Sequence, residues 1–310
     1  MALIFPIREP DGANGARVVW EWHIWDHLIQ NVDPALPNYG NPAEQPGRID
    51  INGDSVGQAN APGNPTQDVF HVNSVAYNVN LDQIIISVPN FNEVWVIDHS
   101  TTTAEAAGTT GGRFGRGGEL LYRWGNPQVY GRGTAADRKL GFQHDARWIP
   151  EGFPGAGNLM IFSNRSPADA GGAGGAGGGR GGGFGGFGGG FGGRTEVLEL
   201  TPPVDERGRY RLDDGAPFGP AEPVWKYSAD DFNATFISGA SRLANGNTLI
   251  TAGPQGRLFE VDSTGKIVWE YWSPYGPNTD VLGASAQSPY AVFRAIRIPP
   301  DHPGLAGLAN

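Results

Sequence analysis

Short runs of alternating apolar and polar residues, separated by turn residues, recur along the chain. In residues 242–274, the runs "TLITA", "RLFEVD" and "IVWEYW" are separated by the turns "GPQG" and "STGK". Alternation of this kind predicts half-buried strands, and the short turns predict that consecutive strands pair in an antiparallel meander. Helical periodicity is scarce, so the sequence predicts an all-β fold.

The meander is repeated. A second copy spans residues 146–229 and a third spans 73–127, whereas 17–26 resembles only the last strand of a fourth. Each copy ends on an aromatic-rich strand, and one further strand is predicted at 290–299. Repeated four-stranded units with one aromatic signature per repeat indicate a β-propeller; a β-sandwich would explain the strands but not the repeat. We therefore predict one propeller domain over 1–310, with about four blades represented.

Two segments interrupt the repeats. Residues 28–67 are rich in Asn, Pro and Gly and are predicted to form a long loop. Residues 170–194 are of low complexity and mostly glycine, which is costly to order and has no side chain to pack, so a flexible insertion is predicted. The alternative is an RGG-like segment that binds nucleic acid, but only Arg180 and Arg194 carry charge there.

Composition narrows the classes of function. The formal net charge is −10, which argues against a general affinity for nucleic acid or an anionic membrane surface. Cysteine is absent, so disulfides, thiolate zinc sites and a thiol nucleophile are excluded. The longest apolar runs are far shorter than the roughly 20 residues of a membrane helix. No signal peptide is predicted at the N-terminus, and the compartment is left open.

No cofactor or metal is predicted. His23 and His27 lie four residues apart in "WHIWDH", but the sequence offers no obvious third ligand, and the surrounding aromatic residues suit packing better. Two other histidines are stronger candidates for chemistry. The stretch "DVFHVNSVAYN", residues 68–78, alternates like a strand, which would place His71 and Asn73 on one face.

His144 occurs in "FQHDARWIP", at the start of the next repeat. The first strand of a propeller blade lines the central channel, and small-molecule sites lie preferentially in concave positions of this kind. We therefore expect His71 and His144 to converge on a ligand. The alternative is a pair of channel histidines that contact only water and their neighbours.

Several motifs, in order, resemble those of the bacterial arylsulfotransferase family: "VVWEWHIWDHLIQ", "HVNSVAYN", "VWVIDHSTTTAEAAG", "LLYRWGNP", "QHDARWIPEG" and "ISGASRLANGNTLI". The resemblance implies a six-bladed propeller, with further blades upstream of Met1. It also implies transfer of a sulfuryl group from a phenolic sulfate to a phenol, without a nucleotide donor, through a sulfohistidine. His144 would then be the nucleophile, His71 a catalytic residue and Asn73 a substrate-binding residue. Exported members of the family suggest a periplasmic or secreted parent protein.

The chain departs from the family pattern at one important position. After "DQIIIS" the family has an arginine that would hold the sulfate, and this chain has Pro89. Among the remaining arginines (Arg147, Arg165, Arg242 and Arg294), Arg294 is the best substitute, because it lies in the last predicted strand. Two further readings stay open: a propeller that binds an anion without turnover, and an incomplete propeller with open edge strands.

Overall fold

The fold is all-β in this computed structural model. The structure describes residues 7–10, 15–52, 68–165, 194–274, 290–300 and 302–306. The predicted glycine-rich insertion, 170–194, lies outside these residues apart from Arg194, and so does the second part of the predicted loop 28–67. Among the described residues, no helix has the length and apolar character needed to cross a membrane.

In the part of the chain that the structure describes, sixteen short strands account for most of the regular structure. In chain order they are β1 (Ile7–Pro10), β2 (Ala16–Trp20), β3 (Leu28–Ile29), β4 (Ile49–Asp50), β5 (Ser74–Asn78), β6 (Gln83–Val88), β7 (Glu93–Asp98), β8 (Tyr122–Trp124), β9 (His144–Trp148), β10 (Leu159–Ser163), β11 (Glu196–Leu200), β12 (Trp225–Tyr227), β13 (Gly239–Arg242), β14 (Thr248–Ala252), β15 (Arg257–Val261) and β16 (Ile267–Trp272).

The helices are single turns. One α-helix, α1 (Thr103–Ala106), begins with a capping box between Thr102 and Glu105. The remaining described helices are 3-10 turns at Ile24–His27, Pro127–Tyr130, Ala135–Asp137, Gly253–Gln255 and Pro303–Leu305.

Twelve of the strands form three antiparallel sheets of four strands each, in which every strand pairs with its neighbour in the sequence. We name these propeller-like blades blade A (β5–β8), blade B (β9–β12) and blade C (β13–β16). They coincide with the repeats predicted at 73–127, 146–229 and 242–274, so the predicted fold class is confirmed.

The chain outside the three blades is less regular. Strands β1 and β2 form a two-stranded antiparallel sheet, and β3 and β4 form a short parallel pair within the predicted loop 28–67. The prediction of a strand at 290–299 is wrong, since its described backbone forms no ladder. Instead, it runs beside blade C with isolated bonds, such as that from Val292 N–H to the Gly253 carbonyl (2.9 Å).

Burial follows from the stacking of blades. Every residue of β6, β7 and β10 is buried, because both faces of these central strands are covered. Near-continuous apolar runs such as "QIIISV" are typical of strands that are buried on both faces. The first strand of blade A packs against that of blade B, which in turn contacts the first strand of blade C. The three first strands therefore lie side by side.

A buried ion pair connects blade A to the segment before it. Arg123 and Glu93 are both fully buried, and an Arg123 Nη2–H donates to the Glu93 carboxylate at 2.5 Å. The same guanidinium donates to the carbonyls of Pro46 and Arg48 and lies 4.4 Å from the centre of the Tyr130 ring. Removing one partner of such a pair leaves a charge in a dry environment.

We expect Arg123→Ala to lower the free energy of unfolding by about 3–5 kcal/mol, because Glu93 would remain buried without its partner. Arg211→Ala is the matched control, since Arg211 pairs with Asp213 on the surface, and it should change stability by about 1 kcal/mol or less. Urea denaturation measures both. Equal effects in the two variants would contradict a structural role for the buried pair.

Candidate active site

The first strands of the three blades line a cavity of about 300 Å³. Its wall includes the side chains of Arg147, Arg242 and Arg294, together with Asp145. The Nε atoms of Arg147 and Arg242 are buried and have no hydrogen-bond partner among the described residues. The cavity is therefore concave and rich in N–H donors, which suits an anionic ligand.

His144 begins β9, one residue before the part of that strand that lines the cavity. Hydrogen bonds to Nδ1 fix the orientation of its ring. Its Nδ1 lies 2.8 Å from the Asn164 amide oxygen and 3.1 Å from the Phe142 carbonyl. The Asn164 amide nitrogen donates to two backbone carbonyls, so its oxygen must face the histidine. Both partners of Nδ1 are acceptors, so Nδ1 carries the proton and Nε2 carries the lone pair.

Burial keeps this imidazole neutral. Loss of hydration lowers the pKa of His144 to about 4, and the nearby positive charges of His71 and Arg294 act in the same direction. The hydrogen bonds from Nδ1 to Asn164 and Phe142 oppose the shift but do not outweigh it. Nε2 makes no hydrogen bond among the described residues. A neutral ring with an unshared Nε2 lone pair is the form in which histidine acts as a nucleophile.

Asp145, the residue that follows His144, pairs with two arginines of the cavity wall. Its carboxylate forms ion pairs with Arg147 and with Arg294, whose Nη1 lies 3.0 Å from Oδ1, and it accepts the Ala240 N–H at 3.1 Å. Asp145 has a left-handed backbone (φ 54°), and the ladder between β9 and β10 shifts register at this point. This β-bulge breaks the simple alternation of the strand and re-aims the side chain towards blade C.

Gly239 makes room for that carboxylate. A Cβ atom at Gly239 would lie 2.2 Å from Oδ2 of Asp145, closer than any real contact. The absence of a side chain at this position of blade C is therefore a requirement of the site rather than a feature of a turn.

His71 lies beside the same region but not on a strand. β5 begins at Ser74, and His71 has a left-handed backbone (φ 52°), so the predicted strand over 68–78 is wrong in its first half. Asp68 explains the turn: its carboxylate accepts the His71 N–H at 3.0 Å and also pairs with Nδ1 of the ring. The ring is half exposed, with its Nε2 edge directed away from Asp68.

Asn73 occupies the boundary between blades A and B. Its amide nitrogen donates to the Gln143 carbonyl at 2.8 Å, and its amide oxygen is buried without a hydrogen-bond partner among the described residues. In this position Asn73 holds the backbone next to His144. The acceptor that remains unpaired is suited to a donor on a ligand and not to a sulfate oxygen.

The four predicted site residues thus lie around one point, the start of β9. His71 and Arg294 are close enough to His144 to influence its pKa, and Asn73 binds the residue before it. Sequence reasoning missed Asn164, which sets the tautomer of His144. The only signal was a polar pair, "SN", directly after the apolar strand "LMIF".

Comparisons with known proteins add little. No protein-family model matches the chain, and no curated protein sequence matches it. One similar solved structure is a protein of unknown function from Bacteroides caccae, with 12% identity and a TM-score of 0.33 over 66% of this chain and 46% of that one. Another is Hsv2 of Kluyveromyces lactis with its complete loop 6CD, with 12% identity and a TM-score of 0.31 over 69% and 50%.

The chain spans about half the length of both structures. At these scores the likeness carries no argument about fold or function, so the fold rests on the sheets themselves.

We expect the imidazole of His144 to titrate near pH 4 and to carry its proton on Nδ1 at neutral pH, because burial disfavours the cation and Asn164 accepts from Nδ1. Nitrogen-15 NMR of labelled histidine measures both properties. In Asn164→Leu the preference for the Nδ1–H form should weaken. A ring that is protonated at pH 6, or that carries its proton on Nε2, would contradict this assignment.

We expect Gly239→Ala to displace Asp145 and to destabilise the fold by about 1–3 kcal/mol, the usual cost of overpacking a well-packed site. Gly108→Ala is the control, since a Cβ there would lie at least 3.5 Å from its nearest neighbour. Thermal unfolding compares the two. A Gly239→Ala protein as stable as the control would mean that Asp145 is not held against blade C.

Proposed function

We propose that this chain is arylsulfotransferase-like and moves a sulfuryl group from a phenolic sulfate ester to a phenol, with His144 as the nucleophile. The observation that carries the proposal is the state of His144: a buried neutral ring, protonated on Nδ1, whose Nε2 is unbonded among the described residues and which directly precedes the part of β9 that lines the arginine-containing cavity. The motif resemblance supplies the reaction class, and the donor and acceptor are both small molecules.

The first step forms a bond between Nε2 of His144 and the sulfur, while the bond from sulfur to the aryl oxygen breaks. The electron pair of the broken bond leaves with the phenolate, which needs a proton. His71 is the candidate acid, because Asp68 pairs with its Nδ1 and Nε2 makes no hydrogen bond among the described residues. The proton of His144 stays on Nδ1 and is donated in a hydrogen bond to the Asn164 amide oxygen, which stabilises the positive charge of the sulfohistidine.

The second step reverses the first with a new phenol. The acceptor oxygen attacks the sulfur, the bond to Nε2 breaks, and the phenol proton passes to His71, which now acts as a base. His144 returns to its neutral form. No cofactor takes part, because the same two imidazoles serve both half-reactions.

Negative charge on the transferred group needs a cation or N–H donors. Arg294 is the candidate, since it lies near His144 and lines the cavity. Its partner Asp145 also binds Arg147, so one carboxylate faces two guanidinium groups and an excess of positive charge remains. That excess would take the place of the family arginine that Pro89 replaces.

A second function is binding of an aryl sulfate without turnover. Pro89 favours it, because proline brings neither a charge nor an N–H donor to a position where the family has both. The same pocket would then recognise the anion but stabilise the transition state too weakly for transfer.

We expect the protein to transfer sulfate from 4-nitrophenyl sulfate to phenol, and His144→Ala to abolish release of 4-nitrophenol. Mass spectrometry of the protein after donor alone should show one added sulfuryl group on the peptide that contains His144. His302→Ala is the control, since His302 is exposed near the C-terminus, and it should act like wild type. Turnover that persists in His144→Ala would refute the assignment.

Arg294→Gln should lower kcat by about 10²–10³, the usual effect of removing a donor to developing charge, with Arg294→Lys intermediate. Calorimetry with 4-nitrophenyl sulfate separates the two candidate functions. Binding without product or covalent adduct would favour the binding protein, and neither binding nor product would refute both.

A further inference from the structure

The cavity between the blades contains buried donors without acceptors. Three of the residues that line it, Arg147, Trp148 and Arg242, each have a buried side-chain N–H with no hydrogen-bond partner among the described residues. These are the Nε–H groups of the two arginines and the Nε1–H of the tryptophan. Buried N–H groups in native proteins are nearly always paired, so these donors need an acceptor that enters the cavity.

The two arginines are held in place through their other nitrogens. Arg147 donates from Nη2 to the carboxylate of Asp145. Arg242 donates from Nη2 to the carboxylate of Glu199, and from Nη1 to the Gly246 carbonyl at 2.9 Å. Both carboxylates are buried, so the guanidinium groups are fixed against them. Their Nε–H groups remain as charge-assisted donors, which bind an anionic acceptor more strongly than a neutral one.

These donors lie at the end of the first strands that is away from His144. Trp148 is the last residue of β9, and Arg242 is the last residue of β13. The two strands run side by side in the same direction, since the Ala240 N–H near the start of β13 donates to Asp145 near the start of β9. His144 begins β9, so the usual rise per residue places the donors of this strand on the order of 10 Å from it.

The rest of the cavity suits one aromatic ring. Its wall includes the apolar side chains of Val75, Ala146, Ile149 and Met160. An apolar cavity of about 150 Å³ is enough to bind benzene in another protein. The volume here, about 300 Å³, therefore leaves room for a ring that carries a polar group at each end.

We propose that the unpaired N–H groups of Arg147, Trp148 and Arg242 form a subsite for a carboxylate, so that the substrates are phenolic acids such as 4-hydroxybenzoate and their sulfate esters. A para-substituted ring holds its phenol oxygen and its carboxylate at opposite ends, which fits the separation between His144 and these donors. The assignment of the phenol end rests on the proposed sulfuryl transfer, whereas the assignment of the carboxylate end rests on the donors alone.

Calorimetry with the whole chain tests the subsite without requiring turnover. We expect 4-hydroxybenzoate to bind at least about tenfold more tightly than phenol and than 4-hydroxybenzamide, because hydrogen bonds to a charged group are the stronger ones. The amide has the shape of the acid but no charge. Equal affinities for the acid and the amide, or an acid that binds no better than phenol because water fills the cavity, would overturn the proposal.

Trp148→Phe locates the subsite, because it removes one donor and keeps an aromatic ring. It should weaken the binding of 4-hydroxybenzoate by about tenfold and that of phenol much less. Tyr77→Phe is the matched control: Tyr77 lines the same cavity, but its O–H already donates to Asp82 at 2.8 Å, so both ligands should bind as they do to wild type. Circular dichroism melting checks that each variant is folded, and Arg147→Gln is the second donor variant. Unchanged affinity for the acid in both donor variants would contradict the assignment.

The reaction itself is measured separately, with 4-nitrophenyl sulfate as the donor. As an acceptor, 4-hydroxybenzoate should have a lower KM than phenol at a similar kcat, because the carboxylate contact is the same before and during transfer. Tight binding of 4-hydroxybenzoate without transfer to it or to phenol would refute the proposed reaction and leave the subsite standing. Transfer to phenol with no preference for the acid, in affinity or in KM, would overturn the subsite and leave the reaction standing.

Discussion

The open edge of each blade's first strand is the constraint on which the rest of this structure depends. Such a strand pairs on one side only, and its outward N–H groups need acceptors elsewhere. In blade B the Ala146 N–H donates to Ser74 Oγ of blade A at 3.0 Å, and in blade C the Ala240 N–H donates to Asp145 Oδ2 of blade B at 3.1 Å. Each blade thus supplies a side-chain acceptor to the next, which fixes the side-by-side order of the first strands.

The candidate site is built around Asp145, which is the charged one of these two acceptors. Ser74 accepts the Ala146 N–H through a neutral hydroxyl, but Asp145 brings a carboxylate into a buried position. Loss of hydration raises the pKa of Asp145 there, and neighbouring cations reduce this rise without cancelling it. Arg147 and Arg294 supply those cations. A structural requirement between two blades therefore concentrates guanidinium groups next to His144, the residue that we propose as the nucleophile.

Periodicity was enough to predict the repeats, because strands buried on one or both faces must show apolar alternation or apolar runs. Periodicity did not predict the backbone where the first strand of a blade begins, because local hydrogen bonds there override the alternation of apolar and polar residues. Asp68 turns the chain at His71, and the bulge at Asp145 changes the direction of its side chain. Asn164 could not be found from the sequence either, since its role depends on two carbonyls about 70 residues away along the chain.

For the segment 290–299, the predicted secondary structure is wrong, but the segment still lies beside blade C as the next strand of the repeat would. It forms no ladder, yet the Ala295 N–H donates to Thr251 Oγ1 of blade C at 3.1 Å, just as Ala146 and Ala240 donate to their preceding blades. By this register Arg294 corresponds to Asp145. The corresponding place therefore holds a carboxylate in blade B, Gly239 in blade C and a guanidinium in the segment 290–299, and Arg294 forms an ion pair with Asp145. The structural repeat therefore determines where Asp145 and Arg294 lie. The opposite charges of their side chains bring them together in the candidate site.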